Sequence, residues 1–338
     1  MNRLRHATCV SLRDQSRETR AFATACVLGL CAVAWTAPAH AQAWVPGKGQ
    51  SSLSMIYEQK RSTEVTESDG ASAHFGTVID RTLHLNLDLG LSDRWALSLG
   101  LPFQSDRYTG TDPHDPRVFP FANNQRFLDD GRFHAGWSDW SVGLRYQLRT
   151  RPFLVTPFIA YTQPSHNYTF FAHSAFGTEQ KALKIGVYLG QWFPPPWQNL
   201  FWQLGYGYTF EQSTKHLDPL ANRLLMDDRH VNHGKFSLEL GYQLTPRFDA
   251  RALIERTNSY GNGINASKDF SNPDGSPNFN NLFYHDQLLI PRFTTVTVGV
   301  DYQLNAHYQL SFDLGRTFSA ANAHIFDYDA SFGISRSF

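Results

Sequence analysis

Residues 81–103, RTLHLNLDLGLSDRWALSLGLPF, alternate strictly between large apolar and small or polar side chains. Leu83, Leu85, Leu87, Leu89 and Leu91 are separated by His84, Asn86, Asp88 and Gly90. After a turn at Ser92-Asp93-Arg94, Trp95, Leu97, Leu99 and Leu101 are separated by Ala96, Ser98 and Gly100. Successive side chains of a strand point to opposite faces. The segment therefore predicts a hairpin with one apolar face and one polar face. The same period recurs over residues 52–61, 139–148, 153–161, 182–192, 200–210, 235–244, 247–255, 294–304, 308–318 and 326–338. These are twelve strands of roughly ten residues, the length a tilted strand needs to cross a bilayer.

The connections alternate in character. Turns near Ser92, Thr150, Pro195, Pro246 and Ala306 are short, whereas stretches such as 107–135, 213–232 and 259–283 are long, polar and rich in Gly, Asn, Asp and Pro. Five short turns and six long loops place both chain ends on the short-turn side. The expected fold is all-β: a transmembrane antiparallel up-and-down barrel of about twelve strands, with short periplasmic turns and long extracellular loops. A soluble barrel would put its apolar faces inside, and twelve such strands would enclose a large apolar space with little to fill it. Lipid on the leucine side removes that difficulty. Because open strand edges cannot exist in hydrocarbon, the sheet must close on itself.

Two further patterns agree. Tyr146-Gln147-Leu148, Tyr242-Gln243-Leu244 and Tyr302-Gln303-Leu304 each precede a short turn, with Phe153, Phe248 and Tyr308 just beyond it. Rings at these positions predict an aromatic girdle where the apolar band meets water. At the C-terminus Phe332, Ile334 and Phe338 share a face. A last strand ending on Phe338 resembles the insertion signal of bacterial outer-membrane barrels, so the barrel-assembly machinery is an expected partner. Arg336 stands where that signal often has an apolar residue.

The chain has 338 residues, 41% of them hydrophobic and 18% charged. Its one long apolar run, residues 21–35, follows Arg17 and Arg20 and is succeeded by Ala39-His40-Ala41. That order predicts a secretory signal peptide over 1–41 and a barrel domain over 42–338. Cys9, Cys26 and Cys31 all fall in the leader, which leaves no cysteine for disulfides or thiolate metal sites. The leader also holds five of the 30 Lys and Arg and two of the 30 Asp and Glu, leaving a mature net charge of −3. No basic footprint for nucleic acid remains.

Phase assigns Glu58, Lys60, His84, Asp88, Asp139, Arg145, Lys184, Lys235, Glu239, Asp249, Arg251, Glu255, Asp301 and Asp313 to the lumen face. Charges enclosed there must pair or meet water. Two uses follow: a paired network that stiffens the barrel, or a lining that selects solutes. Glycines recur on the same faces, among them Gly90, Gly100, Gly143, Gly186, Gly205, Gly207, Gly241, Gly299, Gly315 and Gly333. They either leave lumen volume free or let strands bend.

No cofactor, catalytic centre or metal site is expected. Neither H-E-x-x-H nor a comparable ligand spacing occurs. His166 and His173 in PSHNYTFFAHSAFG and His230 and His233 in HVNHG are the weak metal candidates, as imidazoles in the outer loops. Asp129-Asp130 with Asp228-Arg229-His230 is a passing match to the omptin-type proteases, which have fewer strands. His173-Ser174 lacks the continuation that outer-membrane phospholipases need, and the next residue is Ala175.

Residues 43–50 (AWVPGKGQ), 89–103 (LGLSDRWALSLGLPF) and 129–148 (DDGRFHAGWSDWSVGLRYQL) resemble the outer-membrane barrels related to the phenol meta-pathway degradation family, described as transporters. The resemblance implies an outer-membrane location and passage of small compounds, aromatic ones among them. It carries no established catalytic residue. The expected function is a channel or transporter for small solutes in the outer membrane of a Gram-negative bacterium, with lipid and solute as partners. The alternative is a closed barrel with a structural, adhesive or partner-binding role through its outer loops. Cell fractionation tests the common premise: the processed protein is expected in the membrane fraction, and its recovery as a soluble periplasmic protein would overturn both readings.

Overall fold

A computed structural model of the protein describes residues 42–111, 113–117, 126–218, 223–226 and 228–338. The proposed leader and its three cysteines lie outside the described residues. Fifteen strands follow in chain order: β1 Ser51–Thr66, β2 Ser72–Gly90, β3 Trp95–Thr109, β4 His134–Trp137, β5 Asp139–Tyr146, β6 Leu154–Pro164, β7 Ala182–Trp192, β8 Leu200–Glu211, β9 Lys215–Asp218, β10 Arg223–Met226, β11 Val231–Thr245, β12 Phe248–Gly261, β13 Arg292–Gln303, β14 Tyr308–Ala321 and β15 Ala323–Ser337. Three helices of four or five residues, α1 Ala266–Asp269, α2 Phe279–Phe283 and α3 His285–Leu288, lie between β12 and β13.

Each stave pairs antiparallel with its neighbours. The ring closes where β1 meets β15, from Ser52↔Ser337 to Thr66↔Ala323. β4 and β5 both pair with β3, on either side of Ser138, and form one interrupted stave. Twelve staves result, the expected number. β9 and β10 form a separate hairpin inside the connection from β8 to β11.

Alternation sets the two faces. Leu53, Met55 and Tyr57 of β1, Leu99 and Leu101 of β3, Leu240 and Tyr242 of β11 and Phe312 and Leu314 of β14 all stand exposed on the outside. Glu58, Arg145, Glu239 and Asp301 point inward. An apolar exterior around a polar lumen is the inverted arrangement of a membrane-spanning barrel. Some of the aromatic positions flanking the short turns pack against another ring. Trp95 and Tyr146 lie 4.6 Å apart, centroid to centroid. Arg336, the polar departure near the C-terminus, lies 4.5 Å over the Phe338 ring and 5.6 Å over that of Tyr308. Its charge meets a ring face rather than hydrocarbon.

One expectation needs correction. Two of the six outer connections are short: residues 67–71 between β1 and β2, and Asn322 alone between β14 and β15. Here the strands run on well past ten residues, to 16 in β1, 19 in β2, 14 in β14 and 15 in β15. They absorb what the sequence suggested was loop. Asn322 turns the chain at φ 56°, a left-handed conformation that Asn tolerates because its short amide bonds locally. That amide accepts from Ala266 N at 2.8 Å and donates to Ile264 O at 3.0 Å and Ile290 O at 3.2 Å. The tight turn is thereby stitched to the connection between β12 and β13.

The β6–β7 and β12–β13 connections fold into a cap. Phe170, Phe171, Phe176, Phe283, Leu288 and Leu289 form a buried apolar cluster with Tyr168, Ile264 and Tyr284. Within the lumen, polar and charged groups dominate, so this cap is the main apolar core of the described residues.

Val298 sits midway along β13, 56% exposed on the apolar face. Replacing it with Arg is expected to cost about 2–4 kcal/mol, the range for a cation at the bilayer midplane. Denaturant unfolding of the barrel in lipid vesicles checks this.

Candidate functional site: the lumen and its cap

The lumen is entered from the short-turn side by the segment that precedes β1. Ala43 is fully buried: its N–H donates to Gln203 Oε1 at 2.6 Å, and its carbonyl accepts from Thr156 Oγ1 at 2.6 Å and Gln147 Nε2 at 3.1 Å. Arg145 Nη1 donates to the Gln42 carbonyl at 3.1 Å and to Gln42 Oε1 at 2.8 Å, while its Nη2 holds Asp88 Oδ1 at 2.8 Å. Trp44 packs edge-on against Phe201. Gly90 and Gly190 permit this seat. A Cβ at Gly90 would strike the Gly47 carbonyl, and one at Gly190 would meet Ala43 and the Trp44 ring.

Two cavities flank this segment, and Gln42 lines both. The larger, about 420 Å³, is bounded by Glu58, His84, Tyr188, Glu239, Arg251, Glu255, Asp313 and Asp329. The smaller, about 220 Å³, is bounded by Asn86, Asp88, Ser98 and Ser141. The predicted lumen charges form pairs, some along one stave and others across staves. Lys60 reaches Glu58 at 2.9 Å and Asp329 at 3.8 Å, and His84 Nε2 lies 3.3 Å from Glu58. Lys235 meets Glu255 at 2.9 Å. Arg251 bridges Asp301 at 2.6 Å and Asp313 at 2.5 Å. Lys184 lies 5.7 Å over the Phe158 ring. Glu239 accepts from Gln203 Nε2 at 3.4 Å through one oxygen, and its other oxygen has no hydrogen-bond partner among the described residues. Asp139 stands apart. It lies at the outer end of β5 and accepts the Tyr168 hydroxyl, so it anchors the cap rather than lining either cavity.

The inward glycines are neither voids nor bends alone. Phe201 fills the space beside Gly241, Phe158 and Lys184 that beside Gly207, and Asp313 with Arg251 that beside Gly299. Their missing side chains make room for neighbours that pack and pair. Asp80 and Asp106, directly opposite each other on β2 and β3, and Asp329 on β15 also join the lumen carboxylates. Extending the alternation outward from Asp88, Gly100 and Gly333 by even steps would have found all three.

The cap contains a cavity of about 390 Å³, lined by Tyr168, Phe170, Phe171 and Phe176 with Arg126 and His166 at its border. Its neighbouring ionisable groups are tied. His114 donates from Nδ1 to Asp129 Oδ2 at 3.0 Å and from Nε2 to Leu282 O at 3.2 Å. A carbonyl can only accept, so Nε2 carries a proton, and the Asp129 carboxylate, when ionised, accepts from Nδ1. Burial alone would depress the His114 pKa, but the bond to Asp129 and the nearby Asp286 raise it. Burial opposes ionisation of Asp129 too, yet the His114 bond brings its pKa down to about 2. Asp129 further accepts the backbone N–H groups of His173 and Ser174. Asp130 meets His134 at 2.8 Å, and His230 Nδ1 lies 3.5 Å from Asp228 O. The carboxylates of Asp129 and Asp130 are thus held by partners within the cap, whereas Asp228 meets His230 only through its backbone carbonyl. Of the four candidate histidines, His166 bonds Ser165 and His233 bonds Ser259, and only His173 joins a cluster of potential ligands.

No protein-family profile matches the chain. No curated protein matches it either. Solved structures do. The COG4313 outer membrane channel from Pseudomonas putida F1 superposes with a TM-score of 0.63 at 14% identity, over 88% of this chain and 98% of that one. The β domain of the Bordetella autotransporter BrkA gives 0.48 at 11% identity, over 85% and 100%. The CymD monoaromatic hydrocarbon channel gives 0.43 at 11%, over 87% and 89%. The first likeness establishes the shared fold.

Arg251 and its two aspartates are largely removed from solvent, with side-chain exposures of 7%, 3% and 17%. Arg251→Met, which leaves two carboxylates uncompensated, is expected to cost about 3–5 kcal/mol. Adding Asp301→Asn and Asp313→Asn should return most of it. Equilibrium unfolding of the three variants decides.

Proposed function

We propose that this protein is an outer-membrane channel for small solutes, with the segment before β1 as its constriction. The observation that carries the reading is the pair of polar cavities, about 420 and 220 Å³, that meet at Gln42 inside an apolar-walled barrel. Water and small polar groups are stable in such a space, and lipid is stable against its outer wall. The carboxylates of Glu58, Asp80, Asp88, Glu239, Asp249, Glu255, Asp301, Asp313 and Asp329 outnumber the cations of Lys60, Arg145, Lys184, Lys235 and Arg251. Rings of one sign set pore selectivity, so cations pass in preference to anions.

Aromatic compounds are the first solutes to consider. The phenol meta-pathway resemblance suggests them, and the cap cavity offers Phe170, Phe171 and Phe176 for edge or offset contact. Solute collected there would descend past the paired charges to the Gln42 constriction. A sealed barrel that works through its outer surface is the second reading, favoured by the cap having a core of its own. Insertion by the assembly machinery through β15 and Phe338, and export by the leader, belong to both.

Single-channel recording in a planar bilayer separates them. The mature chain is expected to show small, cation-selective openings. Deleting residues 42–46 should raise conductance several-fold. Silence from both proteins, each shown to be folded and inserted, would sink the channel reading and leave the sealed barrel.

A further inference from the structure

Three segments remote in sequence bring ligand-bearing side chains to one place under the cap. His285 and Asp286 begin α3, His324 lies at the outer end of β15, and His173 belongs to the connection between β6 and β7. The ligand atoms of His285, Asp286 and His324 all lie within 4.8 Å of one another. His285 Nε2 and His324 Nε2 stand 3.3 and 3.2 Å from Asp286 Oδ1. His173 Nδ1 faces the other carboxylate oxygen at 3.8 Å. Ligands placed about 2.0–2.1 Å from a tetrahedral zinc ion are about 3.3–3.4 Å apart. The first two separations match that edge, and the third, which runs to the other carboxylate oxygen, brings His173 alongside the same carboxylate.

The cluster is only partly satisfied as it stands: His324 Nε2 and Asp286 Oδ1 share a hydrogen bond at 3.2 Å. His173 is 95% buried, and neither its Nδ1 nor Asp286 Oδ2 has a hydrogen-bond partner among the described residues. Buried polar atoms without partners are costly, and a group of them aimed at one point calls for an occupant. The ring orientation is already fixed. His285 Nδ1 donates to Leu282 O at 2.8 Å, which turns the Nε2 lone pair toward Asp286. Phe75 packs 4.7 Å from His324, and Tyr108 packs 4.4 Å from His173, walling the site with rings. His114, stacked 5.0 Å from His285, is spent on Asp129 and Leu282 and is not a ligand.

We propose that His285, Asp286 and His324 bind a zinc ion, with His173 as the fourth ligand. Three neutral imidazoles and one carboxylate suit this borderline cation. The ion would fasten α3 and the β6–β7 connection to the top of β15, latching the cap to the wall. The site does not depend on whether solute passes through the lumen.

The test is zinc titration of the folded mature barrel against a chromophoric chelator, after all metal has been stripped. One zinc per chain is expected. His285→Gln and Asp286→Asn should each lower affinity about 100-fold or more, since losing even an orienting partner of a ligand costs about 10–100-fold. His166→Gln combined with His230→Gln should leave binding unchanged. Cobalt substitution of the wild type should give the intense visible bands of a four-coordinate ion, a readout that needs no variant to fold. Zinc should also protect residues 262–291 of the wild type from proteolysis. Wild type that takes up no stoichiometric zinc, cobalt bands of an octahedral ion, or affinity indifferent to His285 and Asp286 would each overturn the assignment.

Discussion

Everything in this molecule follows from the need to pair backbone N–H and C=O groups where no water can reach them. A sheet inside hydrocarbon has no tolerable edge. The β1–β15 ladder, which runs from Ser52↔Ser337 at one end to Thr66↔Ala323 at the other, is therefore a condition of existence for the other eleven pairings. Once the ring is closed, hydrophobic burial is inverted. Leucines and phenylalanines face lipid, and the interior is left to groups that a soluble protein keeps on its surface. Those groups cannot stay single in a confined space, which explains why Arg251 serves two aspartates and Arg145 serves both Asp88 and Gln42.

The lumen residues divide by what they hold. Arg145, Gln147, Thr156 and Gln203 hold the chain itself, fixing Gln42 and Ala43 through backbone atoms. Glu239 and Asp329 face the larger cavity. In the proposed channel, the first group would set where the passage narrows, and the second what charge a solute meets there. Glycines on the inner face serve both. By yielding their side-chain space they let the Gly47 backbone and the guanidinium of Arg251 come close to the wall.

Period-two alternation made the wall legible, because lipid and lumen impose opposite chemistry on neighbouring positions. Strand number, direction and the inward phase of Glu58, Arg145 and Glu239 could all be read from it. Where the constraint was weaker, so was the signal. Asp80 and Asp106 keep the phase but lie beyond the clean leucine pattern of residues 83–101, where the faces are mixed. Residues 42–50 have no periodicity, and only their contacts show that they enter the barrel. The histidine cluster was illegible for another reason. The proposed ligands at 173, 285 and 324 belong to a loop, a short helix and a strand end, and motif spacing detects ligands only when one local element presents them. Tyr168, Phe170 and Phe171 read as loop aromatics until tertiary packing made them the core of the cap.

The staves are of unequal height. β1, β2 and β3 have 16, 19 and 15 residues, against 11, 11 and 12 in β6, β7 and β8. At about 3.3 Å per residue, the tallest exceeds the shortest of these by roughly 25 Å along the strand. Bilayer thickness is the same all round, so the excess stands in the aqueous layer on one side only. The rim is oblique. From outside the cell, the opening is a shell with a high back, and the β6–β7 connection leans across from the low side against Phe75 and His324. In the proposed channel, molecules arriving along the membrane surface would meet a screen on one flank and a threshold on the other, so approach would be directional before any binding occurs.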